Sequence, residues 1–266
     1  MQFYFINRIL HKSTFYIALL MGTALSVYYL LADIYPNAKY GGTPYTRWIE
    51  SFTGSELPNL LFMLMPIIAA VAVADIYISD KKSGFFEHIY AKGQVKRYFL
   101  NLYSYNFIGA GLCFIVPLLL NIYGCFMMLP SHKPDMIMDG NDTISLLHSM
   151  TLFPELYYMY PFLHMLLYLF IGFIATGLYA TLALAFSMFI RYRFMVYISA
   201  YIINYLYVSF LPVSLLLTGS YTPTDFSRVT GASDGVSWQI GFSVLTMGIV
   251  LGTLIYFIGV KKNVVK

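Results

Sequence analysis

Six stretches of this chain approach or exceed the ~20 apolar residues needed to cross a ~30 Å hydrocarbon layer, and they carry almost no charge. That repetition constrains the fold more than any motif does. A backbone in hydrocarbon must satisfy its own hydrogen bonds, and helices do so segment by segment. Only 11% of the 266 residues are charged and 59% are hydrophobic, against about 25% charged in soluble domains. The runs are continuous rather than alternating, which excludes a transmembrane β-barrel. The expected fold class is an all-α integral membrane protein: a single transmembrane domain over 1–266 with six transmembrane helices.

Residues 1–13 place Asn7, Arg8, His11 and Lys12 on one helical arc and Phe3, Ile6, Ile9 and Leu10 on the opposite one. This predicts an interfacial helix with its basic face toward headgroups. Spans are expected at about 15–31, 57–78, 105–127, 159–190, 195–217 and 238–260. The first run is followed by Tyr, Leu and Asp rather than a small-x-small site, so no cleaved leader is expected. Pro66 inside the second run should kink it. Pro117 followed by Asn121 should bend or locally unwind the outer half of the third. The fourth run is too long for a straight crossing, so it is expected to tilt, break or extend past the bilayer.

Between the first two spans, Pro36, Gly41, Gly42 and Pro44 are turn formers, and Tyr35, Tyr40, Tyr45 and Trp48 suit a membrane–water interface. In the longest polar segment Thr143–Phe153 reads as a short half-buried helix, and Asn141 opens a glycosylation sequon. Cys113 and Cys125 share one helix at roughly 18 Å separation, beyond the ~7 Å reach of a disulfide, and read as packing residues.

With the N-terminus inside, the inner segments carry Arg8, Lys12, Lys81, Lys82, Lys92, Lys96, Arg97, Arg191, Arg193, Lys261, Lys262 and Lys266. The outer segments carry only Lys39, Arg47, Lys133 and Arg228. Twelve against four is a strong positive-inside asymmetry, and it predicts both termini in the cytoplasm.

Several chemistries are missing. No Gly-Lys-Ser/Thr exists to cradle phosphate, so the chain is not itself a P-loop ATPase. The five histidines have no zinc spacing, there is no Gly-x-Ser-x-Gly elbow, and no metal site is expected. Asp75 lies three residues before the end of the second span, roughly 4.5 Å inside it, and reads as wetted at the interface; its functional alternative is proton coupling. His164 reads as an interfacial hydrogen-bonding residue. Gly248 and Gly252 in the sixth span, and Gly172, Thr176 and Ala180 in the fourth, permit close helix approach within the chain or in a dimer. Tyr168, Tyr201, Asn204 and Tyr205 are candidate cavity-lining residues, with core packing as the plainer reading.

The segment 79–98 stands apart as the long charged stretch, helix-competent, between two apolar runs. Phe85, Phe86, Ile89 and Tyr90 are too apolar for a tether: they lie on the bilayer surface or fit a groove on another protein. Ser83 or Asp80 is expected to cap a helix N-terminus, and Gly93 to end it. That leaves roughly nine helical residues, about 14 Å, with Phe85, Phe86, Ile89 and Tyr90 as buried anchors ringed by charge.

An inner amphipathic helix, six spans with both ends inside and a helix-bearing loop between spans two and three resemble the membrane-spanning (permease) subunit of type-2 ABC exporters. The run Asp80 to Tyr98 resembles the family's Ser-Gly-Phe followed by a basic, Tyr-containing start of span three, and the Pro117–Asn121 stretch is similar too. The resemblance implies that 79–98 carries the coupling helix, with Ser83, Gly84, Phe85, Phe86, Glu87, Ile89, Tyr90 and Gly93 at the docking site. It implies separate ATP-binding cassette ATPase subunits that carry ATP and Mg, a second permease copy (identical or related), and no catalysis or cofactor on this chain. No nucleic acid is implied. The short outer segments 128–158 and 218–237 look more like compact permeases of the bacterial cell membrane that export, or protect against, amphipathic and antimicrobial peptides. The competing expectation is an ion- or proton-coupled carrier working without an ATPase, with Asp75 as its coupling residue.

Overall fold

Runs of this length and apolarity wind into helices because each peptide group then finds its partner within the same segment. The computed structural model describes residues 2–51, 55–135, 151–215, 222–230 and 237–264, and every regular element among them is helical. The chain opens with α1 (Gln2–Leu10) and α2 (Ser13–Tyr29). A π-turn at Leu30–Ile34, the short α3 (Tyr35–Asn37) and a 3-10 turn at Ala38–Tyr40 extend α2 as one rod. A one-turn α4 (Pro44–Arg47) precedes α5 (Glu56–Val73) and α6 (Ile76–Lys82). After the small α7 (Phe85–Ala91) comes α8 (Val95–Met128). Then follow α9 (Pro154–Met159), α10 (Pro161–Ser187), α11 (Arg193–Leu215), α12 (Pro223–Phe226) and α13 (Trp238–Val264).

Among the described residues five helices are long and apolar enough to cross a membrane: Ser13–Tyr40, Glu56–Lys82, Val95–Met128, Pro161–Ser187 and Trp238–Asn263. The chain is therefore an all-α, multi-pass membrane protein. The run expected at 195–217 forms the 23-residue α11. Buried share separates a centre from a periphery. In Glu56–Lys82 and Pro161–Ser187, 78% and 72% of the apolar stretch is buried, against 28% and 22% in the first and last spans. Helix α10 touches α5, α8, α11 and α13, and α5 touches α2, α8, α10 and α11. The two least buried helices thus present Leu20, Leu31, Met247 and Leu254 outward, the surface a hydrocarbon solvent accepts.

Small residues set the close approaches. A Cβ on Gly248 of α13 would lie 2.6 Å from Leu178 Cδ1 of α10, and one on Gly252 would lie 3.4 Å from Leu182 Cδ2. The glycine stripe of the last span is spent inside the chain. Cys113 and Cys125 are free and buried, as packing residues.

The local expectations fare unevenly. Helix α8 runs unbroken for 34 residues through Pro117 and Asn121, so there is no local unwinding there. The Pro117 ring fits against Gly22 of α2, where a Cβ would come within 2.7 Å of its Cγ. Helix α5 also continues through Pro66, and the helical run parts at Ala74–Asp75, between α5 and α6. The fourth apolar run breaks, one of the outcomes expected of its length, at Tyr160, because Pro161 supplies no N–H and takes the first turn of α10. Trp48 leaves the interface altogether and is 1% exposed. Most of the expected helix at 143–153, with Asn141, lies outside the described residues.

Candidate functional site

Charge is scarce in this bundle, and what there is gathers at the two ends of the second span. At the end near α1, that helix docks on α8 through Phe5 and Ile9, while Ile6 and Leu10 of the expected apolar arc stay exposed. The Phe5 ring stacks on Tyr105 at 5.8 Å and lies 5.5 Å from Tyr98. Ile9 and Val73 close over Gly109. With Phe5 and Ile9 seated, Arg8 and Lys12 turn toward protein, while Asn7 and His11 stay exposed. Arg8 pairs with Asp80, whose other oxygen accepts from the Tyr98 hydroxyl. Lys12 pairs with Asp75. Arg193 Nε lies 3.8 Å from the second Asp75 oxygen, and its Nη2 donates to Ser79 Oγ at 2.9 Å.

Both expectations for this region are thereby corrected. Arg8 and Lys12 meet buried carboxylates of the chain, while Asn7 and His11 of the same arc stay exposed, and Asp75 is not wetted: it and Asp80 are 1% and 0% exposed. Burial opposes the Arg8 charge, but the charge and hydrogen bond of Asp80 outweigh it and raise its pKa. Burial of Lys12 dominates over Asp75 and lowers its pKa. Such pairs mostly hold elements together; removing one partner strands the other in a poor solvent.

Beside this cluster sits α7. It is seven residues long, and neither Ser83 nor Asp80 caps it. Ser83 Oγ donates to the Asp80 carbonyl at 3.2 Å, while the Asp80 carboxylate is taken by Arg8 and Tyr98. The helix instead starts from Gly84 at φ +71°, and Gly93 at φ +65° stops it as expected. Both positions need the left-handed region that glycine enters freely. The Gly93 N–H donates to the Tyr90 carbonyl at 3.0 Å, and the Gln94 N–H to the Ile89 carbonyl at 3.3 Å. These are the backbone bonds of a helix end.

The helix has two faces. Ile89 is buried. Phe85 stacks on Tyr4 at 5.0 Å, and Phe86 sits 5.4 Å from both Tyr77 and Tyr98 and 5.7 Å from Phe99. Three of the four expected anchors are therefore packed on the chain's own helices. Glu87, His88 and Tyr90 are exposed, with the Tyr90 hydroxyl donating to the Asn263 carbonyl at 3.3 Å. A groove of about 330 Å³ runs between α1 and α7, with Tyr4, Phe85, His88 and Lys92 in its wall.

The four candidate cavity residues are not brought together. The Tyr168 hydroxyl accepts from the Leu152 N–H at 2.8 Å and shares a hydrogen bond with Thr151 Oγ1 at 2.9 Å. His164, buried rather than interfacial, hydrogen-bonds the Leu152 carbonyl at 2.9 Å. Asn204 accepts from the Tyr179 hydroxyl at 2.5 Å, tying α11 to α10. Tyr201 is half-buried and Tyr205 is 62% exposed. Core packing accounts for Tyr168 and Asn204.

The residue that sequence reasoning missed is Glu50. The segment Trp48–Ser51 after α4 folds into the bundle. Asn121 Oδ1 on α8 accepts from the Ile49 N–H at 2.9 Å, and the Tyr29 hydroxyl donates to the Arg47 carbonyl at 2.7 Å. The Glu50 carbonyl accepts from the Val229 N–H at 3.1 Å, and the Ser51 carbonyl from Thr230 Oγ1 at 2.9 Å. The Glu50 side chain is 0% exposed, and neither carboxyl oxygen has a hydrogen-bond partner among the described residues. It lies against Gly172, whose absent Cβ would stand 3.5 Å from Oε1, about 16 Å along α10 from its start. Burial drives its pKa well above the ordinary carboxylic value, and the nearby charge of Arg228 opposes this without cancelling it. Arg228 is itself buried, donates to Asn59 and sits 5.8 Å over the Phe62 ring; burial lowers its pKa. The available signal was Trp48-Ile49, an apolar pair inside a polar loop, following a Thr43/Thr46 capping box.

Comparisons with protein-family models, with curated proteins and with solved structures found no match.

Proposed function

We propose that this chain is the permease subunit of an ATP-driven exporter, coupled through α7 to ATPase subunits on separate chains. The observation that carries the reading is the two-faced attachment of α7. A coupling element must be fastened to the spans it moves and must offer a different face to its engine. The Phe85, Phe86 and Ile89 side is fastened to α1, α6 and α8, while Glu87, His88 and Tyr90 are exposed, the Tyr90 hydroxyl reaching the Asn263 carbonyl at the end of α13. Positive charge concentrates at that same end, which supports a cytoplasmic position for it by the positive-inside rule.

The docking contacts accordingly move from the phenylalanines to Glu87, His88 and Tyr90, with Phe85 at the groove's edge. The chain works with a second permease copy, identical or related, and ATP-driven closure of the ATPases shifts the α7 helices. An amphipathic or antimicrobial peptide, or another hydrophobic compound, is the substrate class in keeping with the short outer segments, and a bacterial cell membrane is the setting.

The test is purification from native membranes with any bound P-loop ATPase, followed by substitution of each face. Tyr90→Asp with His88→Asp should abolish ATPase retention and leave the thermal stability of the membrane chain within ~0.5 kcal/mol. Phe86→Ala should instead lower that stability by about 2 kcal/mol. Unchanged ATPase retention in the Tyr90/His88 variant would remove the assignment.

A second reading, ion- or proton-coupled carriage without an ATPase, is favoured by one observation. Asp75 is neutralised by Lys12 and Arg193, but Glu50 is a buried carboxyl with no hydrogen-bond partner. Transport in liposomes lacking any ATPase, lost in Glu50→Gln, would establish it.

A further inference from the structure

Beside α7, on the flank away from α1, a cleft of about 500 Å³ opens between the end of α6, the turn after α10 and the end of α13. That volume is within the range of small-ligand sites. Lys81, Lys82, Arg191 and Lys262 line it, and no Asp or Glu does. Lys81 donates to Asn263 Oδ1 at 3.1 Å, a neutral partner, and Lys262 sits 5.5 Å over the Phe189 ring. The nearest buried carboxylate in sequence, Asp80, is committed to Arg8 and Tyr98. Among the described residues, no carboxylate lining the cleft compensates its positive charge. One wall is apolar, formed by Tyr77, Met188 and Phe189, the last 43% exposed. The cleft also abuts α13, the span with the smallest buried share, so it opens on the flank where lipid meets protein. Four cations, an apolar wall and a position at the ends of the spans match a phosphate attached to a glycerol and acyl chains better than they match a protein segment.

We propose that this cleft binds the phosphate of an anionic phospholipid headgroup, with Lys82 and Arg191 as its charge-bearing contacts and Phe189 against the glycerol. The inference does not depend on the exporter reading, since it needs only that the chain sits in a membrane. A phosphate free in solution presents the same chemistry, so the test must separate the two sources.

The full chain is reconstituted in nanodiscs of phosphatidylcholine with or without phosphatidylglycerol, and retained lipid is counted by native mass spectrometry after detergent release. The wild-type chain should retain phosphatidylglycerol over phosphatidylcholine. Lys82→Gln with Arg191→Gln, two exposed cations outside the buried pairs, should weaken that retention about thirtyfold, at the known strength of one basic residue near an anionic surface. Lys92→Gln with Lys96→Gln removes two cations from the same end but outside the cleft, and should leave retention unchanged. Equal loss in both pairs would mean general surface charge and overturn the site. Displacement of the lipid by inorganic pyrophosphate at the affinity of the headgroup would reassign the cleft to a soluble phosphate. Undiminished retention in the cleft variant, with loss of a bound ATPase instead, would reassign it to an acidic protein partner.

Discussion

Asp80 and Glu50 are both buried carboxyl groups, one at each end of the second span's surroundings, and the fold treats them in opposite ways. Asp80 is met by a guanidinium and a phenol. Among the described residues neither Glu50 oxygen has a hydrogen-bond partner, and the cation near it, Arg228, donates to Asn59 instead. The first end is assembled from charge, drawing α1, α6, α8 and α11 together through Asp75 and Asp80. The opposite end is assembled from neutral bonds by Asn121, Tyr29, Thr230 and backbone amides. A paired carboxylate is a fixed clamp, whereas one kept protonated by its surroundings changes state when those surroundings open. If the molecule moves during its work, the clamps mark the part that travels as one piece, and Glu50 marks the part whose environment changes.

The largest way to break this contrast is Asp80→Ala, which strands Arg8. Buried pairs cut on one side cost about 3–5 kcal/mol, and the partial exposure of Arg8 puts the expectation at about 3 kcal/mol, read as thermal unfolding in detergent. An apolar double replacement, Arg8→Met with Asp80→Leu, should recover most of it. Failure to recover would mean that packing rather than charge sets the cost.

Next comes the pH dependence at Glu50. Its folded pKa is raised, so above the ordinary carboxyl value the unfolded chain binds fewer protons than the folded one. Stability from this group is full at acid pH and falls as pH rises toward the folded pKa, by at most about 1.4 kcal/mol per pH unit. Glu50→Gln should flatten that part of the profile above the ordinary carboxyl value. An identical slope in wild type and variant would show that Glu50 is ionised in the fold.

Asn121→Ala should cost about 1–2 kcal/mol by stranding the Ile49 N–H, and should leave the Arg8–Asp80 end untouched in hydrogen exchange. Smallest is Tyr205→Ala, expected within ~0.5 kcal/mol because the ring is exposed and holds nothing in the core. A larger loss in the assembled protein than in the isolated chain would place Tyr205 at an interface.

These outcomes also mark where reading a sequence succeeds. Five of the six expected spans were legible because twenty apolar residues in a row have one stable solution in hydrocarbon, and Gly93 stood out as the end of α7. What was illegible is tertiary. Asp75 was judged by its depth along one helix, and the covering helix α1 is brought in by Phe5 and Ile9. Pro117 was judged by its missing N–H, and Gly22 of another helix gives its ring a seat. Glu50 sits in a loop with ordinary polar neighbours, and only the insertion of Trp48-Ile49 takes it out of water. Likewise, the phenylalanines of α7 are apolar for the chain's own sake: no periodicity distinguishes an anchor for a partner from an anchor for home.

The two glycine joints of α7 lead to unlike neighbours. Through Gly84 it meets α6, which ends at the non-helical Ala74–Asp75 step; through Gly93 it meets α8, one unbroken helix of 34 residues. In mechanical terms one side is a knee and the other a push-rod roughly 51 Å long. A shove on α7 folds at the knee, where Lys12 is the latch, but travels the length of the rod. Near the rod's far end stands Asn121, gripping the amide next to Glu50. On the proposed coupling, a stroke of α7 carried along this rod ends beside Glu50, a buried carboxyl whose pKa is raised.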